Sequence, residues 1–331
     1  MSAVTPLAGL SLLDAEARAA EVLAEVDRVV VGKHDELAMV LAGVLARGHV
    51  LLEDLPGVGK TLAANALATA LGLEFRRAQF TPDLLPSDLT GSSVFDQQRS
   101  RFEFRPGPVF TGLLLADEVN RTPPKTQAAL LEAMQERQVS VDGETRALPV
   151  PFHVIATANP IEHEGTYPLP EAQLDRFLLR LSLGYPDERQ EWQIVEQQLR
   201  REQLPSVRAV LNAEGLLALQ DAVEQVHVDA LLGEYAVAVV RATRQHASCL
   251  AGASPRGSLA LVLVARAWAL IQGRGFVTPS DVQQVAVPSL AHRVTLRPEL
   301  WLGDVTAADV VAEVLSRVPV PDVSGEPRRA G

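Results

Sequence analysis

Apolar residues recur at helical spacing near the start of the chain. Leu12, Ala15, Ala19, Val22, Leu23, Val26 and Val30 fall on one face of a predicted helix, which Ser11, with Asp14 three positions on, would cap. A second helix is predicted over 35–46. The pattern then shortens. HVLLE at 49–53 reads as a buried strand that runs into the glycine-rich turn DLPGVGKT at 54–61, and an alanine-rich helix follows from Thr61 to Gly72. A strand is predicted at 74–79, and a hairpin from 94–96 and 101–105. LLLAD at 113–117 is nearly all apolar, as a strand covered on both faces should be. Pro123 opens a helix through Arg137, and Gly143 sits at the turn of a second hairpin, 139–142 with 145–148. FHVIATAN at 152–159 and the stretch 177–183 are further strands.

After Tyr185-Pro186 the periodicity is helical, with no convincing strand between Asp187 and Arg317. Thr278 followed by Pro279 marks one clear helix start. The expected organisation is a tail and helix start over 1–19, an α/β unit over 20–186, a helical unit over 187–318 and a disordered tail over 319–331.

Composition narrows the function. Of 331 residues, 47% are hydrophobic, enough for a packed core, and the formal net charge of −11 disfavours nucleic acid or an anionic membrane as a default partner. Cys249 is the sole cysteine, so no intramolecular disulfide can form, and a reducing cytoplasm is the expected compartment. No apolar run has the length of a membrane span, and the N-terminus lacks a signal-peptide pattern. Lysine occurs only at positions 33, 60 and 125, which makes a lysine inside a glycine-rich turn notable.

That turn is the first chemical anchor. Gly57, Gly59, Lys60 and Thr61 lie between strand and helix, where glycines let backbone N–H groups face an anion at a helix N-terminus. Lysine suits phosphate, and the threonine hydroxyl suits magnesium. Asp54 stands where the strict G-x-x-x-x-G-K-[ST] pattern has glycine, and a plain glycine turn would also satisfy the residues. The second anchor is Asp117-Glu118 at the end of an apolar strand, suited to holding a metal (Asp117) and activating water (Glu118). Acid pairs also end strands without function. Asn159 closes the next strand, where an amide could bond water and phosphate or simply cap the Asn159-Pro160 turn. Arg176 in LPEAQLDRF and Arg256 in GASPRG are candidate phosphate cations among many arginines. Histidine pairs at zinc spacing and a serine elbow are both missing.

Taken in order, LLEDLPGVGKT, LLLADEVNRTPPKTQAALLEAMQERQVSVDG, FHVIATANP, LPEAQLDRF and GASPRG resemble the MoxR family of AAA+ ATPases over about residues 20–318. The resemblance implies an α/β fold: an AAA+ P-loop αβα domain with a parallel sheet, followed by an all-α lid. It implies hydrolysis of ATP to ADP and phosphate with Mg2+, in a ring that is usually a hexamer. By the resemblance, Pro56, Gly57, Val58, Gly59, Lys60, Thr61 and Leu62 form the nucleotide loop. Val30, Val31 and Gly32 lie near adenine. Thr61 and Asp117 serve the metal, Glu118 is the catalytic carboxylate and Asn159 is sensor 1. Arg176 is a finger for the neighbour's ATP and Arg256 is sensor 2. The hairpins near 92–106 and 138–149 match family insertions.

Family members are thought to act as chaperone-like maturation factors, often beside proteins with von Willebrand A domains. The expected function is therefore ATP-driven remodelling or maturation of protein complexes. One alternative is an accessory ATPase of a metal-chelatase-like complex. The other is a nucleic-acid motor, to which QRSRFEFRP at 98–106 could contribute basic and aromatic contacts.

Overall fold

The computed structural model describes residues 9–160, 166–199, 205–301 and 303–323. Helix α1 (Leu12–Asp27) starts where the sequence predicts. The Ser11 hydroxyl accepts from the Asp14 N–H and donates to the Asp14 carboxylate. Helix α2 (His34–Leu45) is buried from Leu37 onward, as its almost unbroken apolar sequence requires.

The α/β part follows in order: β1 (Val50–Glu53), α3 (Lys60–Ala70), β2 (Phe75–Gln79), α4 (Pro86–Thr90), β3 (Gly91–Asp96), β4 (Arg101–Pro106) and β5 (Leu113–Asp117). Then come α5 (Pro124–Glu136), β6 (Gln138–Val141), β7 (Glu144–Ala147), β8 (His153–Ala158), α6 (Glu171–Leu174) and β9 (Leu179–Leu181). Five strands form one parallel sheet in the order β2-β5-β8-β1-β9. The pairs β3–β4 and β6–β7 are separate antiparallel hairpins.

Strand alternation sorts the core into two layers. Val50, Leu52, Leu113, Leu115 and Ile155 face one apolar cluster, and Leu51, Leu114, Ala116, Val154 and Ala156 face the other, under α5. The expected strand over 177–183 is shorter than its apolar run. The N–H groups of Leu183 and Gly184 turn aside to the Asp54 carboxylate, at 2.7 and 3.0 Å, instead of continuing the ladder.

Beyond residue 187 lie α7 (Glu188–Leu199), α8 (Ala213–Glu224), α9 (Ala230–Gln245), α10 (Pro255–Ile271), α11 (Pro279–Leu290) and α12 (Ala307–Arg317). The expectation of no strand here is corrected. Strands β10 (Cys249–Ala251) and β11 (Thr295–Leu296) pair antiparallel, with a register shift between Cys249 and Ala251. Two or three residues with a bulge leave no alternation to read. Thr278 caps α11 with a reciprocal bond to Asp281. Helix α10 packs on α1 and α2, and α8 packs on the same two helices, so one apolar cluster runs from the sheet into the later helices. Among the described residues no helix is long and apolar enough to cross a membrane.

Candidate functional site

The turn after β1 follows a path that side chains disfavour. Gly57 and Gly59 have φ of +89° and +87°, yet open space surrounds the position of an added Cβ at each. Glycine is therefore needed for backbone direction, not for room. Gly59 caps α3, whose first residue is Lys60. The Lys60 ammonium donates to the carbonyls of Asp54 and Leu55 at 2.6 and 3.2 Å. Burial lowers its pKa, against the opposing pull of Asp54, Asp117 and Glu118.

Asp54, the departure from the strict loop pattern, has a structural task. Its buried carboxylate accepts from the Ser182 hydroxyl and from the N–H groups of Leu183 and Gly184. Glycine at position 54 could not tie the base of the loop to the exit of β9.

A cavity of about 390 Å³ opens above the loop. Pro56, Gly57, Gly59, Lys60, Thr61 and Leu62 form one side, and Asp117, Glu118 and Asn159 form the other. Parallel strands that all point the same way bring these residues together from the carboxyl ends of β1, β5 and β8. Val58 does not line the cavity but packs on the main apolar cluster. Val30, Val31 and Gly32 also lie outside its lining, in the turn between α1 and α2. There Gly32 abuts the Gln190 side chain, and Lys33 donates to the Tyr185 carbonyl at 2.9 Å.

The acidic pair is held by residues that sequence reading missed. The Thr157 hydroxyl donates to Asp117 Oδ1 at 2.6 Å and accepts from the Glu118 N–H at 2.8 Å. Arg77 donates to Asp117 Oδ2 from Nε at 3.0 Å and Nη2 at 2.6 Å. Glu118 Oε2 accepts from Gln79 at 2.7 Å and from Arg121 at 3.2 Å. Glu118 itself has φ +59°, a left-handed conformation uncommon for a non-glycine residue. Asn159 is buried, and Asn120 bonds both its carbonyl and its N–H. The alternation of Arg77 and Gln79 on β2 was visible in the sequence, but its meaning depends on β2 lying next to β5.

Arg176 and Arg256 do not reach this cavity. They line a second one of about 320 Å³, with Arg47, Arg137, Arg293 and Asp175. Asp175 accepts from Arg293 at 2.8 Å and lies 3.6 Å from Arg256. Burial lowers the pKa of the Arg293 guanidinium, while Asp175 supports its charge. Arg137 donates to the Phe152 carbonyl, just ahead of β8, and Arg176 precedes β9. The second cavity is thus at the amino edge of the sheet and the first at the carboxyl edge. Strand β8 has six residues, so about 15–20 Å of strand separates the edges.

The β3–β4 hairpin exposes Phe95 and Phe102, which stack edge to face at 5.3 Å between ring centres. Arg99 and Arg101 of the basic-aromatic stretch both pair with Glu103, which reduces the charge available to a nucleic acid.

Comparisons with known proteins agree with this architecture. The family described as ATPase family associated with various cellular activities (AAA) matches residues 49–179, and the AAA lid domain matches residues 241–314. The uncharacterized protein YeaC of Bacillus subtilis is 50% identical over 89% of this chain and 92% of its own. Chaperone MoxR1 of Mycobacterium tuberculosis is 43% identical over 95% of this chain and 87% of its own. The crystal structure of a candidate ATPase from Cytophaga hutchinsonii superposes with a TM-score of 0.88 at 39% identity, covering 94% of this chain and 97% of that one. A glycine-rich loop, an acidic strand end and a lid domain arranged in this order, with 43% identity to Chaperone MoxR1 over 95% of this chain, place the chain in the MoxR family of AAA ATPases.

Proposed function

We propose that the chain hydrolyses ATP with magnesium and works as a ring of identical subunits, a hexamer by the resemblance, to remodel or mature protein complexes in the cytoplasm. A von Willebrand A-domain protein is the proposed partner. The observation that carries this reading is the opposition of the two cavities. The loop, the acids and Asn159 occupy the carboxyl edge of the sheet, and Arg176 and Arg256 occupy the amino edge. Neither arginine can serve its own loop across the sheet. Stacked head to tail, one subunit's arginines meet the next subunit's nucleotide, a heterologous contact that closes into a ring.

The donor set suits magnesium. Thr61 and Asp117 face one cavity, and among the described residues no three of His, Cys, Asp or Glu cluster into a metal cage. Such a site fits a cation shared between phosphates and few protein oxygens. When bound, the metal neutralises charge on the β- and γ-phosphate oxygens.

The remaining steps belong to the chain. Lys60 leaves the carbonyls of Asp54 and Leu55 for the phosphates, and loop N–H groups cradle them. Asn159 orients a water, and Glu118 takes its proton as the oxygen bonds to the γ-phosphorus. The bond from that phosphorus to the bridging oxygen breaks, and ADP leaves with the electron pair. Arg176 from the neighbour meets the charge developing on the transferred group. Arg256, on the same edge, reads the neighbour's γ-phosphate and passes its loss to α10.

Mixing two inactive variants tests the geometry. Lys60→Ala should bind no ATP by calorimetry, and Arg176→Ala should bind ATP without turnover. Mixed in equal amounts, roughly a quarter of the interfaces regain both parts, so turnover should return to about that fraction. No recovery, with mixed assembly confirmed by light scattering, would sink the head-to-tail reading.

A further inference from the structure

We infer that Arg77 controls how readily a divalent cation reaches Asp117, an inference that rests on the magnesium-ATPase reading above and adds a residue it does not use. Both oxygens of the Asp117 carboxylate are engaged. Thr157 holds Oδ1 at 2.6 Å, and the Arg77 guanidinium holds Oδ2 through two nitrogens, at 3.0 and 2.6 Å. Thr157 is a neutral partner that can stay in place when a cation arrives. Arg77 is not, because it supplies the charge that the cation would supply, at the same oxygen.

The two partners differ in their freedom. The Asp117 side chain is 11% exposed and sits at the end of a buried strand, whereas the Arg77 side chain is 48% exposed on the edge strand β2. The arginine can therefore swing into water, and the aspartate cannot follow it. Arg77 also donates to Gln79 at 2.6 Å, and Gln79 donates to Glu118 at 2.7 Å. These two β2 residues lie on one face, and the register sets Gln79 directly opposite Asp117. Displacing Arg77 thus loosens the contact that holds Glu118, and it links arrival of the cation to release of the water-activating acid.

A half-exposed ion pair is of modest strength, so its removal should raise apparent cation affinity about three- to tenfold. The test uses the full-length protein saturated with ADP. Mg2+ is titrated in, and the rise in thermal unfolding temperature gives the midpoint concentration. Arg77→Gln should shift the midpoint about three- to tenfold lower, Arg77→Lys should fall between it and the wild type, and Asp117→Asn should lose the response. A wild-type response that Arg77→Gln leaves unmoved or shifts to higher Mg2+ overturns the inference alone. A wild-type protein that binds ADP but shows no response to Mg2+ overturns the metal reading beneath it.

Discussion

Glu118, the proposed base, shows how the fold holds one residue in place. Its φ of +59° costs about 1 kcal/mol or more in a non-glycine residue. Thr157 holds it there by accepting from its N–H, and Gln79 fixes its carboxylate. Glu118→Gln keeps the size and the hydrogen-bonding reach but cannot take a proton. It should bind ATP as tightly as the wild type and turn over about 10²–10⁴ times more slowly, measured by phosphate release. Retained turnover would remove Glu118 from the role of base. At this scale the sequence was informative wherever a residue marks the end of a strand or the start of a helix. Lys60, Thr61, Asp117, Glu118 and Asn159 all do, and one cavity collects them. Arg77, Gln79 and Thr157 were illegible because their partners are on neighbouring strands, and strand order is not written in local spacing. Asp54 looked like a defect in a motif until its bonds to 182–184 were seen.

The elements repeat that division. Strands β5 and β8 could be read because burial on both faces leaves continuous apolar runs. The β3–β4 hairpin could be read from its two strands, and the β6–β7 hairpin from Gly143 at its turn. Strands β10 and β11 could not, because two or three residues carry no period. Also unseen was how the strands are fastened at their amino ends. The His49 Nδ1 accepts from the Val154 N–H, so its proton is on Nε2, facing the Met134 carbonyl. His153 sits beside the Gly48 carbonyl through Nδ1 and the Gln220 amide through Nε2. These bonds join β1, β8, α5 and α8 through two neutral imidazoles. Burial pushes the His153 pKa down to about 4, and burial with the nearby Arg137 charge pushes His49 well below its usual range. A depressed folded pKa stabilises the native state above the unfolded value near 6.5, and this stability is lost as pH falls towards 4. His153 alone accounts for about 3 kcal/mol over that window. Urea unfolding from pH 7 to 4 should show the decline, and His153→Asn should show a shallower one. A wild-type profile flat down to pH 4 would contradict the assignment.

Across the whole molecule, the sheet acts as a spacer with a different cavity at each edge. A net charge of −11 does not prevent five arginines from lining one cavity with Asp175 at the amino edge. Asp221 and Glu224 pair with Arg47, and Asp175 serves both Arg256 and Arg293, so part of this positive charge is offset where it lies. At the other edge Asp117 and Glu118 are paired with Arg77 and Arg121, and Lys60 lies in the same cavity, so the charges there are balanced locally until phosphate arrives. In the proposed head-to-tail stack, a nucleotide held at one subunit's carboxyl edge adds phosphate charge for the next subunit's arginines to meet. Assembly should then depend on nucleotide, and turnover on assembly. ATPase activity per subunit should rise with protein concentration and level off as rings form, with light scattering following the same curve when ATP is added to Glu118→Gln protein. Arg176→Ala should bind ATP with near wild-type affinity yet stay inactive at every concentration, because its interfaces lack the cation that completes the site. Specific activity that is constant down to dilutions where scattering reports only single subunits would mean that each subunit hydrolyses ATP alone, and the opposition of the two cavities would then need another explanation.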